Sequence, residues 1–312
     1  MSIVNILVGI VIILWGADKF TDGASSIARR LNVPQIVIGL TIVAFGTSMP
    51  EFCVSLTSAL KGSADIAVGN IVGSNVFNAL LIVGCAAVVS PMLIQKNTVK
   101  KDVPFALVSS IVLAVMCYDS VLSRFEAVIL LIGFVLFMVY TLHIARKGEA
   151  EASEQKVYST LWSLAFIVVG LGCLIVGSQL FVNGATEIAQ KLHVSEAVIG
   201  LTIVAGGTSL PELATSVVSA RKGQSGIAIG NVIGSNVFNI LMILGLTGVI
   251  TPLHTVGLTS IDMIMLVVSM LLVWGMSYTK YLIERWEGAV LILVYGGYLA
   301  WLIYNAAHQV WS

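Results

Sequence analysis

One ten-residue segment occurs twice, and the arrangement of its two copies constrains the rest of the chain. Gly69-Asn70-Ile71-Val72-Gly73-Ser74-Asn75-Val76-Phe77-Asn78 returns as Gly230-Asn231-Val232-Ile233-Gly234-Ser235-Asn236-Val237-Phe238-Asn239. Gly46-Thr47-Ser48-Met49-Pro50-Glu51 returns as Gly207-Thr208-Ser209-Leu210-Pro211-Glu212. Both copies are displaced by the same 161 residues. That displacement also lays Gly39-Leu40-Thr41-Ile42-Val43-Ala44 over Gly200-Leu201-Thr202-Ile203-Val204-Ala205, Pro91 over Pro252 and Glu126 over Glu287. A shared offset over most of both halves identifies a duplicated unit.

The medium in which the unit folds follows from its polarity. Of 312 residues, 58% are hydrophobic and 10% charged, against about 25% charged in a soluble domain. Apolar runs of roughly 20 residues, the length that crosses a bilayer core, recur from end to end. Only helices and closed barrels satisfy the backbone in lipid, and the short alternating strands of a barrel are missing. The fold class is all-α integral membrane, with ten transmembrane helices at about 3–29, 33–60, 64–89, 103–119, 122–145, 158–190, 194–220, 226–250, 258–278 and 282–305. The first run starts at Ile3 with no basic residue before it, so it reads as a retained span.

Threading these spans back and forth sorts the basic residues. Arg29, Arg30, Lys96, Lys100, Lys101, Arg146, Lys147, Lys156, Arg221, Lys222, Lys280 and Arg285 fall on one face; only Lys61, Arg124 and Lys191 fall on the other. The basic face is cytoplasmic, which places both termini extracytoplasmic. With five spans per unit, the second copy is inverted relative to the first. Loop charges agree: Arg29-Arg30 on the inner side become Gln190-Lys191 on the outer, and Lys61 on the outer side becomes the Arg221-Lys222 pair on the inner. The predicted organisation is a first repeat over 1–145, a short charged cytoplasmic linker over 146–157 and a second repeat over 158–312.

Composition also excludes functions. Equal numbers of basic and acidic residues, 16 each, give no reason to expect a nucleic-acid partner. Cys53, Cys85, Cys117 and Cys173 stand singly in apolar runs, which is neither a disulfide framework nor a zinc site. His143, His193, His254 and His308 sit near predicted helix ends, and the serine-rich motifs have no histidine near them in sequence, so an intramembrane enzyme is disfavoured. A channel would assemble its filter from several subunits, whereas one chain here supplies both halves of a cavity.

The chemistry sits in the repeated motifs. Glu51 and Glu212 lie well inside apolar segments, where a carboxylate costs about 2.5–3.5 kcal/mol to insert. No Lys or Arg in the second, third, seventh or eighth span is placed to pair with them. Oxygen surrounds them instead: Thr47, Ser48, Thr208, Ser209, Ser74, Ser235, Asn78 and Asn239. Pro50 and Pro211 lack an N–H and break the helix, leaving the carbonyls of Gly46 and Gly207 without their usual amide. A broken helix at mid-membrane is tolerated where it lines a cavity. Two carboxylates among hard neutral oxygens suit calcium, and sodium can use a subset; with no sulfur or imidazole ligand, a transition metal is disfavoured. The Gly69/Gly73 and Gly230/Gly234 pairs read first as close helix packing. Asn75 and Asn236 face away from Asn78 and Asn239, which leaves helix–helix bonding and ion ligation both open. Asp18, Lys19 and Asp22 read as a local charge cluster, and Asp119 and Asp262 as span boundaries.

These motifs resemble the paired alpha repeats of the calcium/cation antiporter superfamily, and within it the compact prokaryotic sodium/calcium exchangers. The resemblance covers nearly the whole chain. It implies ten helices in two inverted halves, four central ion sites, and alternating access by sliding of the first and sixth spans. Carried over by motif position, Glu51 and Glu212 would bridge the calcium site, the threonines and serines named above would add oxygens, and Ala44 and Ala205 would contribute backbone carbonyls. Both Asn78 and Asn239 are amides, whereas potassium-dependent members and some prokaryotic ones can carry aspartate at the position of Asn239, so the resemblance gives less reason to expect potassium cotransport. The short linker sets the chain apart from large animal exchangers with regulatory calcium-binding modules. The implied function is electrogenic antiport in the cell membrane, sodium entering and calcium leaving, with no cofactor beyond the transported ions. The resemblance implies a prokaryotic inner membrane as its location. Because a buried carboxylate can also carry a proton, calcium/proton exchange is the alternative. Oligomeric state has no signature in the sequence.

Overall fold

The computed structural model describes residues 2–147, 157–192, 203, 205–255 and 258–309. Most of the linker and the start of the seventh predicted span (194–202) lie outside them. Helix α1 is Ser2–Arg30; α2, Gln35–Thr47, meets α3, Met49–Leu60, at a 46° bend. Next come α4 (Ala64–Val89), β1 (Met92–Leu93), α5 (a widened turn at Thr98–Asp102 continuing into Val103–Met116), β2 (Val121–Leu122) and α6 (Arg124–Lys147). In the second half lie α7 (Thr160–Lys191), α8 (Ala205–Thr208), α9 (Leu210–Arg221), α10 (Ser225–Ile250), β3 (Leu253–His254), α11 (Ser260–Lys280), β4 (Leu282–Ile283) and α12 (Arg285–Gln309).

Seven of these helices are each long and apolar enough to cross a bilayer, and the bent α2–α3 pair supplies another span. The fourth and seventh spans complete the ten: α5 is too short to count alone, and α8–α9 lacks its first turns among the described residues. The predicted fourth span starts five residues late at its N-terminal end, because the widened turn at Thr98–Asp102 carries Lys100 and Lys101 into the helix. The predicted second span is bent where Pro50 withholds its amide from the Gly46 carbonyl.

The four two-residue strands are absent from the sequence reading, being too short for any periodicity. They establish the inverted symmetry. Met92 pairs with Ile283 and Leu93 with Leu282; shifting each residue by the repeat offset gives the second pair, Leu122 with Leu253 and Val121 with His254. Each ribbon joins two loops that threading puts on the same side of the membrane, and the two ribbons cap opposite sides. The halves are thus interlocked at both ends.

Helices α4 and α10 form the centre, 78 and 94% of their apolar windows being buried, against 17–33% for the outer spans. Large apolar side chains such as Leu7, Val168 and Leu293 line the outer surface, where hydrocarbon rather than water is the solvent. Outside this bundle α1 and α7, the longest helices at 29 and 32 residues, pack along each other. Their seam is built of small residues seven apart, Ser2, Gly9, Gly16 and Gly23 against Gly184, Gly177, Gly170 and Ser163. A Cβ on Gly16 would lie 2.9 Å from the Gly170 carbonyl oxygen, and one on Gly170 would lie 2.8 Å from that of Gly16, so the backbones touch.

The charge cluster on α1 is less local than its sequence suggests. Lys19 pairs with Asp18 at 3.0 Å, yet Lys222, just past α9, reaches both Asp18 and Asp22 at 2.7 Å. This clamp ties α1 to the inner bundle. At the repeat-related positions stand Gln179 and Asn183, facing a cavity of about 500 Å3 instead of an ion pair. Asp119 accepts the Val121 amide as a boundary residue, whereas Asp262 caps α11 and also accepts the Tyr298 hydroxyl at 2.6 Å.

Candidate cation-binding site

Both helix breaks, at Ser48 and at Ser209, fall inside the repeated motif. Ser48 ends α2 and precedes α3, and Ser209 does the same between α8 and α9. Each glutamate therefore sits in the first turn of a helix, with the proline at its second position, where a missing N–H costs nothing. A helix N-terminus carries partial positive charge and stabilises a carboxylate there. That offsets part of the cost of burying two acidic side chains at 0% exposure with no basic partner among the described ion pairs.

The two motifs cross-link. Ser48 Oγ donates to Glu212 Oε1 at 3.0 Å, and Ser209 Oγ donates to Glu51 Oε1 at 2.8 Å. Ser209 Oγ also lies 3.1 Å from Ser74 Oγ, which approaches Glu51 Oε1 at 3.5 Å. Each carboxylate from one half is thus held by a hydroxyl from the other, at the centre of the inverted pair. Thr47 Oγ1 donates to the Val43 carbonyl at 3.1 Å and meets Asn231 Oδ1 at 3.0 Å.

The second oxygen of each glutamate is left over. Glu51 Oε2, Glu212 Oε2, Asn78 Oδ1, Asn239 Oδ1 and Ser235 Oγ are all buried without a hydrogen-bond partner. Such groups are costly unless something satisfies them, and a set of oxygens that includes two carboxyl groups is suited to a cation. Calcium takes about 6–8 oxygens at such a site. Among the described residues no cluster of three histidine, cysteine or carboxylate groups occurs, which keeps the donor set to oxygens around the glutamate pair.

Of the residues singled out from sequence, Thr47, Ser48, Ser74, Ser209, Ser235, Asn78 and Asn239 are buried in α2, α4, α8–α9 and α10, and Thr208 is partly exposed beside the cavity. The Ala44 carbonyl accepts the Ser48 amide at 3.0 Å, leaving one lone pair. Ala205 opens α8, and its side chain lies outside the described residues. Gly230 and Gly234 do permit close packing: a Cβ on Gly230 would be 2.8 Å from the Ile36 carbonyl, and one on Gly234 would be 2.6 Å from the Ala44 Cβ. For Gly69 and Gly73 the repeat-related counterpart of α2 lies mostly outside the described residues.

Sequence reasoning gave no role to Asn70 and Asn231. Asn70 Nδ2 donates to the Glu51 carbonyl (3.3 Å) and Ser55 Oγ (3.0 Å); Asn231 Nδ2 donates to the Glu212 carbonyl (3.3 Å) and Ser216 Oγ (2.9 Å). They anchor the glutamate-bearing helices to α4 and α10. The signal was present, since both residues fall inside the repeated decapeptide. Asn75 and Asn236 resolve as helix–helix contacts, each donating to the other's backbone carbonyl.

A sequence profile described as "Sodium/calcium exchanger protein" matches residues 1–143 and 162–304. The provisionally named antiporter CaxA of Alkalimonas amylolytica is 39% identical over 310 residues, covering 96% of this chain and 97% of its own length. Inner membrane protein YrbG of Escherichia coli is 36% identical over 312 residues, covering 95% of this chain and 94% of its own. Among solved structures, the sodium-calcium exchanger NCX_Mj soaked with Na+ and Sr2+ superposes with a TM-score of 0.84 at 35% identity, over 96% of this chain and 97% of that one.

Proposed function

This chain belongs to the sodium/calcium exchanger family, and we propose that within it the protein extrudes calcium in exchange for sodium entering down its gradient. The observation that carries the reading is the crossed pair, Ser48 on Glu212 and Ser209 on Glu51, with a free oxygen on each carboxylate. Two carboxylates neutralise one calcium or two sodium ions, so the ions compete for one charge-balanced site. The neutral oxygens of Asn78, Asn239 and Ser235 offer room for a further sodium without compensating charge. Exchange with that additional ion moves net charge, so transport is electrogenic.

The site is proposed to comprise Glu51 and Glu212 with Thr47, Ser48, Ser74, Asn78, Thr208, Ser209, Ser235, Asn239 and the carbonyls of Ala44 and Ala205. The chain divides into repeats at 1–145 and 158–312, joined by a cytoplasmic linker at 146–157, with both termini on the outer side of the cell membrane. The cavity beside Pro50, Cys53, Gln179, Asn183 and Thr208 is the approach from that side, while the clamp of Lys222 on Asp18 and Asp22 closes the inner side. The conformation accordingly supports an outward-facing reading. Its family resemblance to an inner-membrane protein of a bacterium supports the same location here.

The test is calcium uptake into proteoliposomes with sodium, potassium and proton gradients imposed separately. Flux should follow the sodium gradient, respond to membrane potential, and vanish in Glu51→Gln and Glu212→Gln. Flux that ignores sodium and tracks pH would replace sodium with protons as the driving ion. Undiminished flux in either glutamine variant would refute the site.

A further inference from the structure

Where α4 and α10 cross at the centre of the bundle, each passes into a widened helical turn, Phe77–Ile82 and Phe238–Leu244. Such turns free backbone groups and recur at functional sites. Just ahead of them, Asn75 Nδ2 donates to the Asn236 backbone carbonyl at 3.2 Å, and Asn236 Nδ2 donates to the Asn75 backbone carbonyl at 3.3 Å. A carbonyl only accepts, so these two contacts decide which end of each amide faces the partner helix.

The rest follows from donor and acceptor counting. With its nitrogen committed, Asn75 offers Oδ1, which accepts from Asn239 Nδ2 at 2.9 Å; Asn236 Oδ1 likewise accepts from Asn78 Nδ2 at 3.1 Å. Asn78 and Asn239 have then directed their NH2 groups away from the site, and their oxygens are the ones left buried without a partner. Asn78 lies one helical turn beyond Ser74, and Asn239 one turn beyond Ser235, so they share the faces that carry those serines.

We propose that Asn75 and Asn236 are positioning residues of the cation site: anchored on each other's backbone, they hold the amides of Asn78 and Asn239 with oxygen, never nitrogen, toward the ion. A reversed amide would aim two N–H groups at the cation. The inference rests on the proposed reading only in taking calcium to bind at the glutamate pair. It adds that each half of the repeat orients a ligand of the other, so neither half presents a correct site alone.

The experiment is a double-mutant cycle on the purified full-length chain, read by calorimetric titration of Ca2+ in sodium-free buffer. Asn75→Ala removes the acceptor that fixes Asn239. It should weaken Ca2+ binding about tenfold, the scale of one hydrogen-bonding contact to a charged species. Asn239→Ala leaves no amide to orient and sets no acceptor against Asn75 Oδ1, so on that background Asn75→Ala should cost less than twofold. A purely structural role would give the same loss on both backgrounds, and that additive result would overturn the proposal, as would wild-type affinity in Asn75→Ala. The mirror cycle through Asn236→Ala and Asn78→Ala gives the same reading if Asn75→Ala does not fold. Wild-type protein that binds no Ca2+, or binds it unchanged in Glu51→Gln, would overturn the cation-site reading itself and the positioning role with it.

Discussion

Gly170 and Gly172 lie two residues apart on α7, and replacing each with alanine should move stability in different ways. A Cβ at Gly170 would lie 2.7 Å from the Phe20 amide nitrogen, 2.8 Å from the Gly16 carbonyl oxygen and 2.8 Å from the Phe20 Cβ. Two of those three atoms are backbone, so no side chain can swing aside. Relief requires α1 and α7 to part by several tenths of an ångström along their shared seam. A gap of 0.5–1 Å forfeits about a quarter to a half of each contact's dispersion energy, and overpacking of this kind costs about 1–3 kcal/mol. At Gly172 a Cβ meets nothing within 4 Å among the described residues. Both substitutions share the gain of about 1 kcal/mol that alanine has over glycine in a helix. Their difference therefore isolates the clash, and Gly170→Ala should be less stable than Gly172→Ala by about 1–3 kcal/mol. Thermal unfolding followed by size-exclusion of detergent-solubilised protein measures that difference. Equal stability of the two variants, or a lower stability for Gly172→Ala, would refute the view that α1 and α7 touch backbone to backbone.

Ser209→Ala removes the hydroxyl that holds Glu51 at 2.8 Å and should weaken Ca2+ binding about tenfold, as read by calorimetry; in ion-free protein it should also lower stability by about 1–3 kcal/mol, because Glu51 Oε1 is left with the 3.5 Å approach of Ser74. Pro50→Ala returns an amide to the Gly46 carbonyl and relaxes the 46° bend; calcium flux in proteoliposomes should fall while the protein becomes no less stable. Lys222→Gln leaves Asp18 and Asp22 without their cross-helix partner, lowering stability by about 1 kcal/mol or less because the pair is partly exposed. The loss should shrink in high salt, which a denaturation series at two ionic strengths will show. Cys53 lines the cavity beside Thr208, so a membrane-impermeant thiol reagent added outside should label it in intact cells, and Ca2+ should slow the labelling. Labelling only after the inner face is exposed would reverse the assigned orientation.

The duplication, the membrane class and the inverted halves were legible in the sequence because each is one-dimensional. A fixed offset aligns the decapeptides, apolar run length reports bilayer thickness, and loop charges flip sign of preference when an odd number of spans separates the copies. Glu51 and Glu212 were legible for a related reason: a carboxylate deep in an apolar run is too costly to be incidental. Other features depended on partners distant in the chain. That Ser48 would hold Glu212 and Ser209 would hold Glu51 requires the two helix breaks to meet, which no spacing within one segment encodes. The reach of Lys222 to α1 was hidden because Asp18 and Asp22 already had Lys19 beside them in sequence. The choice between ligation and helix contact for Asn75 and Asn236 was undecidable from periodicity, since a side-chain amide can serve either purpose. Only the crossing of α4 and α10 settled it, by setting each amide nitrogen against a backbone carbonyl that can do nothing but accept.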